Sequence, residues 1–198
     1  MTRPDSITTY RLALIRVYEE TGSLIPKTSP LGMVSSDIRE MITSYLSDAA
    51  SFHVCNDIVN EYASLAYAHG WLDAARYLGF LDGEQTSLIL PDDGQFPALQ
   101  HERLIEKTGR YEKMLNEAIS SVLVAPQTGS PLYQAAMFIA GKATDAGTGI
   151  RAVNSGDGYA AVLGELSYAY GWLDAGVRAG LFRVTGNPHL FTTEITES

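Results

Sequence analysis

The stretch Leu65-Ala66-Tyr67-Ala68-His69-Gly70-Trp71-Leu72-Asp73-Ala74 returns as Leu166-Ser167-Tyr168-Ala169-Tyr170-Gly171-Trp172-Leu173-Asp174-Ala175, an offset of 101 positions. Both tryptophans of the 198-residue chain lie in these two stretches. The same offset relates Tyr10 to Tyr111, Ser29-Pro30 to Ser130-Pro131 and Gly79 to Gly180. Between Pro30 and Leu65 the match is poor, and Asp57 meets Asp157 only after a one-residue shift. The landmarks describe a tandem duplication of a unit of about 100 residues, far longer than a solenoid repeat. The expected units are residues 1–93 and 94–198, divided near Pro91, Gly94 and Pro97 and packed together about a pseudo-two-fold axis.

Apolar spacing gives each unit three helices. Ile7, Tyr10, Leu14, Val17 and Tyr18 form one stripe after a cap at Asp5 or Ser6. Ile38, Met41, Ile42, Tyr45, Ala49 and Phe52 form a second, with Ser35 or Ser36 as the expected cap. The third helix carries the motif and ends near Gly79. In the second unit, Leu104, Tyr111, Leu115, Ile119 and Val122 mark a fourth helix. A fifth is expected over Leu132 to Val153, despite Gly141, Gly147 and Gly149, and the sixth carries the second motif to Gly180. Leu88-Ile89-Leu90, whose place is taken by His189-Leu190-Phe191, reads as a short strand or a segment lying on the bundle. The expected fold is all-α: a helical bundle of two tandem three-helix repeats with pseudo-two-fold symmetry.

At about 100° per residue, Tyr67, Trp71, Ala74 and Leu78 share one face of the third helix, and Leu65, Ala68, Leu72 and Ala75 another. Little is left for water, so each motif helix is expected at the centre of its half. Ala66, Gly70 and Ala74 are small and four apart, as are Ser167, Gly171 and Ala175. A mid-helix glycine costs about 1 kcal/mol against alanine. Close packing is the simplest offset, and it predicts that the third and sixth helices cross at this ridge.

Asp73 and Asp174 are the sharpest candidates for a site. A buried carboxylate needs a partner, so each is expected in an ion pair or hydrogen bond within the bundle; Arg76 and Arg178 lie three and four residues on, which suits a helical pair. The alternative is that the two Asp side chains approach the pseudo-axis and share a proton or a cation. Tyr67, Trp71, Tyr168 and Trp172 fill a core or line a pocket beside them. His69 stands where the second copy has Tyr170, which argues against a histidine chemistry common to both halves. His53, His101, His189 and the single Cys55 show no metal-ligand spacing, so no metal and no cofactor are expected. Neither a GxxxxGK[ST] loop nor a GxSxG elbow occurs.

A net charge of −9 opposes phosphate-backbone binding and a poor match awaits it at an anionic membrane, so neither nucleic acid nor membrane is an expected partner. No apolar run reaches the roughly 18 residues of a membrane span, and no apolar segment suited to a signal peptide follows Met1. A cytoplasmic location is the resulting expectation. With no catalytic constellation, the chain reads as a non-enzymatic binding or protein-interaction module, acting on a protein partner or on itself. The alternative is a small-molecule binder or enzyme with its site between the repeats, near Asp73, Asp174, Tyr67, Tyr168, Trp71, Trp172 and His69.

The signature Tyr-Ala-x-Gly-Trp-Leu-Asp-Ala, followed after four residues by Gly79-Phe80-Leu81 or Gly180-Leu181-Phe182, resembles the DUF357 family of short archaeal proteins of unknown function. The second copy is the closer match, and its tail, Phe182-Arg183-Val184 to His189-Leu190-Phe191, is similar to the family's C-terminal end. The first copy departs from it, with Arg76-Tyr77 in place of Val177-Arg178. The resemblance implies a helical bundle of archaeal, cytoplasmic origin. It assigns no catalytic residue.

Overall fold

A computed structural model describes residues 7–91, 96–149 and 158–192. Six helices run through them: α1 (Ile7–Glu19), α2 (Pro30–Val54), α3 (Ile58–Tyr77), α4 (His101–Ser120), α5 (Pro131–Gly149) and α6 (Tyr159–Arg178). Two short strands, β1 (Val122–Val124) and β2 (Phe182–Val184), pair antiparallel. The architecture is the expected helical bundle of two repeated halves.

The helices α3 and α6 form the centre and pack against each other more extensively than any other pair. In its own half, α3 is flanked by α2 and α1, and α6 by α5 and α4. Each motif helix is thus enclosed on every side, which is why Leu65 to Ala75 are buried without a break. The crossing falls on the predicted ridge. A Cβ built on Gly70 would collide with the Tyr168 carbonyl oxygen and lie 3.2 Å from the Gly171 Cα. One built on Gly171 would collide with the Tyr67 carbonyl oxygen and lie 3.2 Å from the Gly70 Cα. Close backbone approach offsets the cost of a helical glycine at both positions. Tyr67 meets Asp174 on one side of this point, and Tyr168 meets Asp73 on the other. The two helices therefore run antiparallel, related by a two-fold axis through the glycines.

Local chemistry corrects two expected boundaries. The cap of α2 is Ser29, not Ser35 or Ser36: its Oγ accepts the Gly32 N–H at 3.0 Å, and Pro30 opens the helix. Ser130 does the same for Tyr133 at 3.1 Å, with Pro131 opening α5. The helix α4 stops at Ser120, so Val122 belongs to β1 rather than to the helical stripe. Its β-branched run Val122-Leu123-Val124 suits a strand better. Leu88-Ile89-Leu90 forms no strand and lies along the bundle, while Pro188–Leu190 is a 3-10 turn. The expected cap at Asp5 or Ser6, the turn at Asn154 to Asp157 and the helix end at Val153 fall outside the described residues. Gly79 and Gly180 both take φ +76°, the left-handed conformation of a helix terminus.

Beyond the motif, the halves repeat in form while diverging in chemistry. Val124 pairs with Phe182 in the small sheet, and the equivalent Ser23 and Leu81 form an isolated bridge. Asp37 on α2 contacts Arg178 of α6 at 3.4 Å. The positions related to them by the repeat are Phe138 and Tyr77, whose rings stack at 4.7 Å. One seam between the halves is ionic and its counterpart aromatic. None of the described helices is long and apolar enough to cross a membrane.

Candidate functional site

Each motif carboxylate is held across the crossing by the tyrosine of the other repeat and, from its own side, by a threonine of the segment that follows its helix. Asp73 is buried; its Oδ1 accepts the Thr86 N–H at 2.7 Å, and its Oδ2 accepts the Tyr168 hydroxyl at 2.8 Å and the Thr86 hydroxyl at 3.3 Å. His69 Nε2 lies 3.2 Å from the same oxygen and also touches the Thr86 hydroxyl. The other ring nitrogen of His69 is 2.8 Å from the buried hydroxyl of Tyr10. At the related position, Asp174 Oδ2 accepts the Tyr67 hydroxyl and, at 2.9 Å, the Thr192 hydroxyl. The Thr192 N–H lies 3.2 and 3.3 Å from the two oxygens of Asp174.

The two carboxylates differ because His69 has no counterpart. In the second repeat Tyr170 occupies its position and spends its hydroxyl on the Leu190 carbonyl at 2.5 Å. Burial pushes the Asp174 carboxyl up, and the hydrogen bonds from Tyr67 and Thr192 and the charge of Arg178 offset this only in part. Burial acts on Asp73 in the same direction, but the hydrogen bond and charge of His69, the Thr86 N–H and the Tyr168 hydroxyl outweigh it. Its carboxyl is held below the usual range, so it is ionised at neutral pH. Burial and the Asp73 charge push the Tyr168 hydroxyl well up, so it remains a donor.

Of the two expected kinds of partner the carboxylates take hydrogen bonds, and the ion pairs with the nearby arginines do not form. The Arg76 guanidinium turns to the Thr21 hydroxyl and the Glu84 carbonyl. Arg178 reaches Asp37 and the Thr192 carbonyl, and acts on Asp174 only as a nearby charge. Interior hydroxyls and backbone N–H groups satisfy the carboxylates without the desolvation of a second full charge. Nor do Asp73 and Asp174 share a site. Tyr67 and Asp73, their anchor points on α3, are six residues apart, roughly 9 Å along the axis at 1.5 Å per residue.

Among the described residues, the Asp73 network lines a defined cleft. His69, Asp73, Thr86 and Tyr168 line a half-open cleft of about 330 Å³, walled by Leu88, Ile89, Leu90 and Ala161, with Glu165 at its rim. Glu165 is exposed and, among the described residues, has no hydrogen-bond or ion-pair partner. Of the residues singled out in the sequence, Asp73, Tyr168 and His69 meet in this cleft. Asp174 and Tyr67 form the buried counterpart, with Trp71 beside Tyr67 at 6.5 Å between ring centroids. Trp172 stands behind Tyr168 at 6.2 Å. Thr86, Thr192 and Glu165 went unrecognised. The threonines follow their Asp residues by 13 and 18 positions, so unequal loops hide their equivalence from a fixed offset of 101. Cys55 is exposed at the end of α2. Among the described residues no three His, Cys, Asp or Glu side chains converge as metal ligands.

Comparison with curated proteins and with solved structures returned no match. A family model described as a protein of unknown function, DUF357, matches residues 10–81 and again residues 110–182. Each match spans one copy of the Gly-Trp-Leu-Asp motif, and together they cover well over half of the sequence, so the chain belongs to the DUF357 family and carries its domain twice.

Proposed function

We propose that the protein is a non-enzymatic binding module whose ligand site is the cleft over Asp73, between the two repeats. The observation that carries this reading is the asymmetry of the duplicated carboxylates. Both are built into the crossing by the same kinds of tyrosine and threonine contacts, yet among the described residues Asp73 lines a cleft and has His69 beside it, where the second repeat places Tyr170. A structural role alone would ask for no such difference.

The chemistry of the cleft favours binding over catalysis. Both Asp73 oxygens already accept hydrogen bonds, and both His69 nitrogens are engaged, so neither stands ready as a general base. The ionised Asp73 and the exposed Glu165 give the cleft a negative potential, and Leu88, Leu90 and Ala161 give it an apolar wall. The fitting ligand is a small molecule with a positively charged or N–H-rich end and an apolar body. A thermal-shift screen of primary amines, with methylated and quaternary ammonium ions left out, tests this. The expected outcome is a ligand-dependent rise in melting temperature that Asp73→Asn abolishes and Asp174→Asn retains. A response that survives Asp73→Asn would remove the assignment.

A second reading, protein interaction or self-association, draws on α5. From Pro131 to Gly141 this helix has no charged residue, and Leu132, Met137 and Phe138 are exposed on it. Exposed apolar side chains grouped on one element mark contact surfaces. Sedimentation of the wild type and of Met137→Glu over a range of concentrations checks it. A wild type that stays monomeric throughout speaks against self-association.

A further inference from the structure

Lys142 of α5 holds its ammonium over three aromatic rings at once. Its Nζ lies 4.8 Å from the Trp172 ring centroid, 5.2 Å from that of Phe138 and 5.8 Å from that of Tyr168. Tyr77 backs the group, stacked on Phe138 at 4.7 Å and 5.6 Å from Trp172. The outer rings stand at the surface, Phe138 being 42% and Tyr77 39% exposed. Beside the ammonium a hollow of about 320 Å³ opens, with Asp145 and Glu165 among its lining residues. Among the described residues Lys142 makes no ion pair, so its charge rests on ring faces while two carboxylates stand at the mouth.

The fold does not require this arrangement. The first repeat places Met41, Asp37, Trp71 and Tyr67 at the positions of Lys142, Phe138, Trp172 and Tyr168. Helix packing of the same form is achieved there with Met41 in place of the lysine and the Asp37–Arg178 ion pair in place of the Phe138–Tyr77 stack. The cage is present in the second repeat and absent from the equivalent positions of the first. Aromatic rings facing one cation are the common receptor for alkylated ammonium ions, because the ring quadrupole attracts charge without hydrogen bonds.

We propose that Phe138, Tyr168 and Trp172 form a binding site for a small free quaternary or methylated ammonium ion, and that Lys142 fills it as an internal stand-in which the ligand displaces. The hollow lined by Asp145 and Glu165 draws the cation in, and the apolar rings select methyl groups over a hydrated metal ion. The site adjoins the cleft over Asp73 without using the Asp73 carboxylate. The two share Tyr168, whose hydroxyl serves Asp73 while its ring serves the cage, and Glu165 at their common rim.

The test uses the full chain and tetramethylammonium chloride as probe, against sodium chloride at matched ionic strength. The readout is the fluorescence of Trp172 in a Trp71→Phe background. Saturable quenching is expected, with binding about tenfold tighter in Lys142→Ala, because the internal competitor is gone. Adding Phe138→Ala should weaken it by about tenfold. The uncharged isostere 3,3-dimethylbutanol should not compete, and phosphatidylcholine vesicles should not co-sediment the protein. Equal binding of the isostere, no tightening in Lys142→Ala, no loss in Phe138→Ala, or binding to vesicles but not to the free cation would each overturn the proposal. Should the variants fold poorly, the wild type decides by itself. After reductive 13C-methylation, the Lys142 methyl signal should be shifted upfield by the rings and should move to the position of an exposed lysine as the probe is added. A signal at the exposed position from the start, or one that does not move, overturns the proposal equally.

Discussion

At Gly70 and Gly171 a single methyl group decides whether the crossing can form. The obstacle each would meet is a backbone carbonyl, which cannot rotate away. Gly70→Ala and Gly171→Ala are each expected to destabilise the fold by about 3 kcal/mol or more, beyond the roughly 1 kcal/mol that helix propensity returns. Gly141, exposed in mid-helix with nothing near its missing Cβ, is the internal control. Gly141→Ala is expected to stabilise by about 0.5–1 kcal/mol. Urea denaturation separates these outcomes, and a neutral Gly70→Ala would contradict the crossing. Also at this scale, the two motif carboxylates should titrate in opposite senses. The Asp73 carboxyl is lowered, its burial outweighed by His69, Thr86 and Tyr168. It therefore adds stability above the unfolded carboxylate value of about 4, lost as pH falls through its folded value. The Asp174 carboxyl is raised by burial. Its contribution is present below the unfolded value and lost as pH rises through the folded one. The cost of Asp73→Asn should accordingly grow between pH 3 and pH 7, while that of Asp174→Asn shrinks, as measured by urea midpoints. Parallel trends would refute the difference in environment. The sequence makes Asp73, Tyr168 and His69 conspicuous because they lie in or depart from a repeated motif. It hides Thr86 and Thr192 because loops of unequal length put them out of register, and it misdirects Arg76 and Arg178 because helical spacing reports proximity on a surface, whereas these carboxylates point into the crossing.

Among the elements, the pairing of α3 with α6 was legible from the small-residue ridge, and the helix periods located all six helices. The ends were less so. Ser29 and Ser130 cap their helices through the same Ser-Pro pair, yet the poor match after Pro30 drew attention to later serines. The seams between α2 and α6 and between α5 and α3 could not be read at all, since nothing in one sequence says that position 37 faces 178. Once seen, they make a prediction. Asp37 and Arg178 are partly exposed, so removing their ion pair by Asp37→Ala should cost no more than about 1 kcal/mol. Phe138→Asp alone sets a carboxylate against the Tyr77 ring and should cost about 1 kcal/mol. Adding Tyr77→Arg reproduces the ionic seam of the other half and should recover at least half of that loss in a double-mutant cycle. Zero coupling would show that the two seams are not interchangeable.

In the whole molecule, neither half buries its motif helix without the other. The α6 face that meets α3 includes Gly171, Tyr168 and Asp174, and each needs a partner from the first repeat. A fragment of residues 94–198 is therefore expected to self-associate, substituting a second α6 for α3 across the same axis. Sedimentation equilibrium should give a dimer that Gly171→Leu dissociates or unfolds. A stable monomeric fragment would mean that the halves are self-sufficient. The two-fold axis through the glycines also bears on how such a chain can change. In a dimer of identical subunits every substitution is made twice, so a residue tolerable at one end of the axis must be tolerable at both. Joining the copies in one polypeptide lifts that constraint. His69 opposite Tyr170, Lys142 opposite Met41 and an aromatic seam opposite an ionic one are changes that a symmetric pair would have had to accept in duplicate. Within one polypeptide, one end of the axis can keep the shared architecture while the other varies.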